Sequence, residues 1–207
     1  MRLTFSTIFA SIIAVSFLFM SGCATMDKNE CKTANWEIIG MEDGVAGRGA
    51  AYIGSHRRAC ADYGITPDLT AYQRGYDQGL IKFCTYDNGY AQGERGHSNN
   101  NVCPNSLKRA FNDGHKQGYQ VYSVRRDIAY VQSQIANHNQ RLTDIEKRTK
   151  QLEQQLVLGK TTPMQRVEIL NETKSLNKEE ENIKNEIRRL DVDLYRLQEM
   201  YAKLVGG

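Results

Sequence analysis

Between Asn35 and Tyr119 one short pattern recurs, and it limits what the chain can fold into more than any other feature. Tyr72, Gly75, Tyr76, Gln78 and Gly79 recur without gaps as Tyr86, Gly89, Tyr90, Gln92, Gly93 and as Phe111, Gly114, His115, Gln117, Gly118. A looser copy starts at Trp36 and runs through Gly40 and Gly44 to Gly47. Copies are unevenly spaced, which excludes a solenoid. In a helix, the aromatic and its two glycines fall at i, i+3 and i+7, on one face. Each face is then a bare notch bordered by an aromatic ring. Eight glycines inside helices cost on the order of 6–8 kcal/mol relative to alanine, so something must offset them. The structural explanation is close helix–helix approach over the notches. The functional alternative is room for an extended glycan or peptide, with Trp36, Tyr72, Tyr76, Tyr86 and Tyr90 as stacking surfaces. For Tyr86–Gly96 a loop with glycine at positive φ is a further alternative.

Composition is uneven along the chain. Thirteen of the 17 glycines lie between Cys23 and Gln120, and from Val121 apolar residues recur at heptad spacing instead. Val121, Val124, Ile128, Val131, Ile135, Leu142, Ile145, Leu152 and Leu156 follow a and d positions, with polar lapses at His138 and Thr149. Gly159 to Pro163 reads as a helix stop and restart. The pattern resumes at Ile169, Leu176, Ile183, Ile187, Leu190, Leu194, Leu197, Tyr201 and Leu204, with Val167 and Leu170 out of phase. Arms of similar length around a tight turn predict an antiparallel coiled-coil hairpin over 121–205, turning at 159–162. Thr149 then shares a layer with Thr173, and His138 lies near Glu180 or Ile183. His138 reads as a polar register-setter, with a pH-sensitive contact to Glu180 as the alternative.

The N-terminus carries an address. Residues 1–22 hold one charge, Arg2, and an apolar run from Ile8 to Met20, shorter than the ~20 residues of a spanning helix. Met20, Ser21, Gly22 and Cys23 resemble a bacterial lipobox, which makes 1–22 a lipoprotein signal peptide and Cys23 the lipidated N-terminus. By resemblance to Gram-negative lipoproteins, Ala24 after that cysteine favours the outer membrane, on its periplasmic face. Residues 23–34 read as a tether. Four cysteines remain: Cys31, Cys60, Cys84 and Cys103. An even number in an exported chain suggests two disulfides with three connectivities, of which Cys31 with Cys60 and Cys84 with Cys103 close the most local loops. A four-thiolate metal site is the alternative, without any closely spaced cysteine pair to support it.

Helix boundaries can be placed. Asn35 caps a helix running to about Ala59, closed by Gly64. Thr66 and Pro67 open the next, to Phe83, and Thr85 caps a short one before the polar loop 96–102. After Pro104 a single helix runs through the last Gly copy into the first hairpin arm. Period-2 alternation is scarce. The expected fold is therefore all-α: a disulfide-stapled helical domain with Gly-notched helices over 35–120, then the hairpin.

Together the lipobox, the Trp36 helix, Tyr72/Gly75/Gly79 before Cys84, Asn88/Gly89/Tyr90/Gly93, Val102/Cys103/Pro104, Phe111/Gly114/Gly118 and the trailing coiled coil resemble a family of Gram-negative lipoproteins known only as a domain of unknown function. The resemblance implies an envelope lipoprotein and supplies no activity, ligand or catalytic residue.

Enzyme signatures are missing. His56, His97 and His115 are scattered, with no metalloprotease, nucleophile-elbow or dinucleotide motif. Leu158 to Thr161 mimics the end of a phosphate loop, but Gln154 stands where its first glycine belongs. Glu42 and Asp43 read as a solvated acidic turn; acid–base work with His115 or His56 is the alternative. No catalytic residue, metal site or cofactor is assigned. The chain past Gly22 has Lys+Arg 26 against Asp+Glu 24, too balanced for nucleic acid. Expected partners are the membrane through the N-terminal lipid, another envelope protein or a second copy, and peptidoglycan as the alternative.

Overall fold

Local signals set the helix ends in a computed structural model that describes residues 26–206. The signal peptide, the lipidation site Cys23 and the start of the tether lie outside the described residues. Helices are α1 (Lys28–Thr33), α2 (Trp36–Val45), α3 (Ile53–Ala61), α4 (Leu69–Phe83), α5 (Tyr86–Glu94), α6 (Asn105–Val157) and α7 (Pro163–Val205), with a short 3₁₀ turn at Ala50–Tyr52. There is no strand among the described residues. Asp27 caps α1 in a reciprocal box with Glu30, Asn35 caps α2, Asp68 caps α4, and Thr162 caps α7 in a box with Gln165.

Two boundaries differ from the sequence expectation. The helix from Asn35 does not reach Ala59; it ends at Val45, where Gly47 takes φ +65° and the chain turns into the 3₁₀ segment and α3. The expected tether contains α1, and its Met26 and Cys31 are buried. The Tyr86 copy is helical, so the loop alternative fails there; only Gly96, past the end of α5, has positive φ.

Contacts divide the chain into two units, and the 35–120 segment is shared between them. Among the described residues one holds 26–85 with Asn100–Lys108; the other holds Tyr86–Asn99 with 109–206. Both disulfides, Cys31–Cys60 and Cys84–Cys103, belong to the first. Each closes a short loop, a constraint of about 3 kcal/mol on the unfolded chain. Cys60 is wholly buried, so the first bridge ties α1 to α3 inside the core.

Helix α6 is 53 residues long, lying in the second unit from Arg109, and α7 is 43. They form an antiparallel hairpin with Val131, Ile145, Leu152, Ile169 and Ile183 buried. Register is pinned by two bidentate pairs, Arg141 with Glu179 and Arg148 with Glu172, one heptad on along one arm and one heptad back along the other. The Glu180 carboxylate pairs with Lys184 of its own helix, the acceptor that a His138 contact would have used. The turn is Gly159 at φ +67° followed by the Thr162 cap and Pro163.

Candidate functional site

The glycine faces are packing faces. A methyl group built on Gly40 would lie 2.0 Å from the Tyr72 carbonyl oxygen, and one on Gly75 would lie 1.7 Å from that of Glu37. Gly44 meets the Tyr76 oxygen at 2.3 Å and Gly79 that of Met41 at 2.2 Å. Contacts step in the same direction along both chains, so α2 and α4 run parallel with backbone against backbone. This is the small-residue packing that lets helices approach closely enough for Cα–H···O contacts.

The second unit repeats the arrangement. Gly89 meets the Phe111 oxygen at 2.2 Å, Gly93 that of His115 at 2.2 Å, Gly114 that of Tyr86 at 2.1 Å and Gly118 that of Tyr90 at 2.0 Å. In every case the oxygen belongs to the residue three before the partner glycine. Gly47 and Gly96, each three residues beyond its helix's second notch, sit at positive φ against the rings of Phe83 and Tyr122. Tyr76 donates its hydroxyl to the Arg48 carbonyl at 2.6 Å, and in the same place His115 Nε2 donates to the His97 carbonyl at 2.7 Å. The four sequence copies are thus two tandem pairs, first with second and third with fourth. Their uneven spacing reflects the different lengths of the connections.

Within the first pair one position departs from the rest. Asp43 stands where the other copies have Gln78, Gln92 and Gln117. It is no solvated turn: 5% exposed, it is the hub of a buried polar cluster. Its Oδ2 accepts from the Tyr72 hydroxyl at 2.8 Å and from His56 Nε2 at 2.8 Å, and Arg48 Nε lies 3.4 Å from Oδ1. The contact places a hydrogen on His56 Nε2, and the buried Nδ1 of that ring has no hydrogen-bond partner. His56 is packed edge-on by Tyr52 at 5.1 Å, and the Arg48 guanidinium lies 4.0 Å over the Tyr52 ring. Burial first, then the bond to Asp43 and its charge, push the Tyr72 phenol well above its ordinary range. Burial and the charges of Asp77 and Asp43 raise Tyr76 too. Beside the cluster lies an open cleft of about 630 Å³, walled by Glu30, Glu42, Asp43, Arg48, Tyr52 and His56.

Of the expected stacking rings, Trp36, Tyr72 and Tyr76 are buried, as is Phe111; Tyr90 is half-buried and Tyr86 more open. Tyr86 donates to Gln117 across the second pair. Of the two histidines considered for Asp43 it is His56 that bonds it, while His115 Nε2 donates to the His97 carbonyl within the second pair. Among the described residues no three His, Cys, Asp or Glu side chains gather as a metal-holding group, and no helix is long and apolar enough to cross a membrane.

Residues 35–120 match the family model described as protein of unknown function (DUF2799). The segment is similar to the DUF2799 family. Its matched range takes in both glycine-notched pairs and ends just past Gly118, at the last notch of α6. No curated protein and no solved structure matches the chain. DUF2799 comes with no activity, so what this domain does must be argued from its own residues.

Proposed function

We propose that the chain is a non-enzymatic, lipid-anchored envelope protein, held by Cys23 to the periplasmic face of the outer membrane. In this reading each glycine-notched pair is a rigid module, and the hairpin is a spacer and docking arm for another envelope protein or a second copy. The observation that supports it is the filling of the notches: all eight glycines are occupied by partner backbone. Chemistry points the same way. The Asp43–His56–Tyr72 cluster has a hub and a histidine, but its hydroxyl holds its proton tightly and makes a poor nucleophile. Palmitate labelling that is lost on Cys23→Ser tests the anchor. Sedimentation of the chain from residue 24 at several concentrations, with crosslinked pulldown from envelopes, tests the docking role; a strict monomer with no specific partner would defeat it.

A second reading is favoured by the Asp43 cleft. Helix packing alone does not demand a buried carboxylate, because the second pair places Gln92 at that position. A peptide or glycan seated between Arg48, Tyr52 and Glu42 would give the charge a use. Retention on purified peptidoglycan sacculi that drops on Arg48→Ala and Tyr52→Ala supports this reading. Retention no better than background removes it.

A further inference from the structure

The hairpin seam is built from Ile145, Leu152 and Ile169, yet the largest apolar side chains near its turn take no part in it. Val157 is 85% exposed, Leu158 70%, Met164 76%, Val167 58% and Leu170 59%. Met164, Val167 and Leu170 follow one another at three-residue steps along one flank of α7, while Ile169, 7% exposed, faces the other way into α6. This explains why Val167 and Leu170 are out of phase with the heptads. They belong to a different surface. A soluble helical turn has no need of five exposed large apolar residues, and such a cluster marks a binding surface.

Charge indicates what it binds. Between Glu153 and Glu168 the only ionised side chains are Lys160 and Arg166. Both are exposed, and neither pairs with a carboxylate among the described residues. Arg166 Nε donates to Thr161 Oγ1 at 3.2 Å, which holds its guanidinium beside the turn. Polar Gly159, Lys160, Thr161 and Thr162 lie between the two apolar groups. The end of a two-helix hairpin is narrow, whereas a stable protein interface takes roughly 800 Å² from each side. A bilayer makes no such demand: it admits a few large apolar side chains below the headgroups while phosphates pair with flanking cations.

We propose that the hairpin tip is a membrane-surface site whose occupant is an anionic phospholipid bilayer. Val157, Leu158, Met164 and Val167 enter the acyl boundary, and Lys160 and Arg166 engage lipid phosphates. This attachment is independent of lipid on Cys23, and its failure leaves the anchored-module reading standing. The test is flotation of the chain from residue 24, which keeps every described residue, with vesicles of phosphatidylcholine alone or mixed equally with phosphatidylglycerol. Binding to the anionic vesicles is expected to exceed binding to the neutral ones at least about tenfold, since each basic residue at the surface contributes roughly fivefold. Lys160→Glu with Arg166→Glu should lower anionic binding by about tenfold or more, and salt should weaken it. Val157→Ser, Leu158→Ser, Met164→Ser and Val167→Ser together should abolish it with unchanged helicity, as all four positions are exposed. Val157→Ser with Leu158→Ser is a milder variant that keeps the test decisive should the fourfold change unfold the arm. No binding, equal binding to both vesicles, or a serine variant that floats like the parent overturns the proposal. So does self-association without lipid that the same serines remove, which would make a second copy the occupant.

Discussion

The two glycine-notched pairs use one backbone plan with different chemistry at its centre. In each, a tyrosine three residues before one helix's first notch donates across to the residue three after the partner's first notch. In the first pair Tyr72 reaches Asp43; in the second Tyr86 reaches Gln117. Gln92 of the second pair occupies the Asp43 position and bonds His97 Nδ1 at 2.6 Å. Phe111 stands in for Tyr72 without a hydroxyl. A neutral amide and a plain ring thus suffice for this packing. A buried carboxylate with a histidine and a phenol on one oxygen is found in the first pair alone, and such groups cost stability unless fully partnered.

That contrast can be broken by mutation. Asp43→Ala leaves His56, Tyr72 and Arg48 without their common acceptor and should cost about 3–5 kcal/mol in denaturant melts. Gln92→Ala should cost about 1 kcal/mol. Equal losses would erase the distinction. Importing the second pair's residues, Asp43→Gln with Tyr72→Phe, should recover much of the difference. Next in size, Gly75→Ala and Gly114→Ala place a methyl group 1.7 and 2.1 Å from a backbone oxygen and force their helices apart. Overpacking of about 1–3 kcal/mol is expected in both pairs alike, outweighing alanine's helix propensity. Gly49→Ala, where nothing lies within 4 Å, is the neutral control.

Titration gives a smaller, signed effect. The Tyr72 pKa is raised on folding, so its contribution is complete below the unfolded phenol pKa of about 10 and fades as pH rises beyond it. Stability should fall faster above about pH 10 than in Tyr72→Phe. In the hairpin the sign reverses. Hydrogen bonds from Arg148 and Arg141 hold Glu172 and Glu179 below the usual carboxylate range. Their contribution is present above about pH 4.3 and lost as pH falls through the lowered values. These pairs are exposed, so the change in melting temperature between about pH 7 and about pH 3 that Arg148→Ala removes should be the smallest effect here.

Local features were legible in the chain. The cap at Asn35, the helix stop and restart from Gly159 to Pro163, the heptads and the two cysteine loops each lie within a short stretch, and the helices and bridges form where those stretches point. Pairing of the copies was not legible, because four similar notches can associate in several ways and the choice is made by contacts distant in sequence. The end of α2 was missed because Gly47 looks like a further notch until it is seen at positive φ against Phe83. Asp43 was missed because an acidic pair such as Glu42 and Asp43 reads as solvated. The signal was nonetheless present: three copies carry glutamine at that place, and one carries a carboxylate.

Helix α6 joins two contact modes without a break, bare backbone at Gly114 and Gly118 and interlocking side chains from Val131 onward. It acts as a shaft whose azimuth is keyed at the notch. One residue inserted between Gly118 and Val131 would turn everything downstream by about 100° and swing the exposed flank of Met164, Val167 and Leu170 to another side, although every seam contact could still form. Seven residues inserted there would restore the heading to within about 20° and only lengthen the arm.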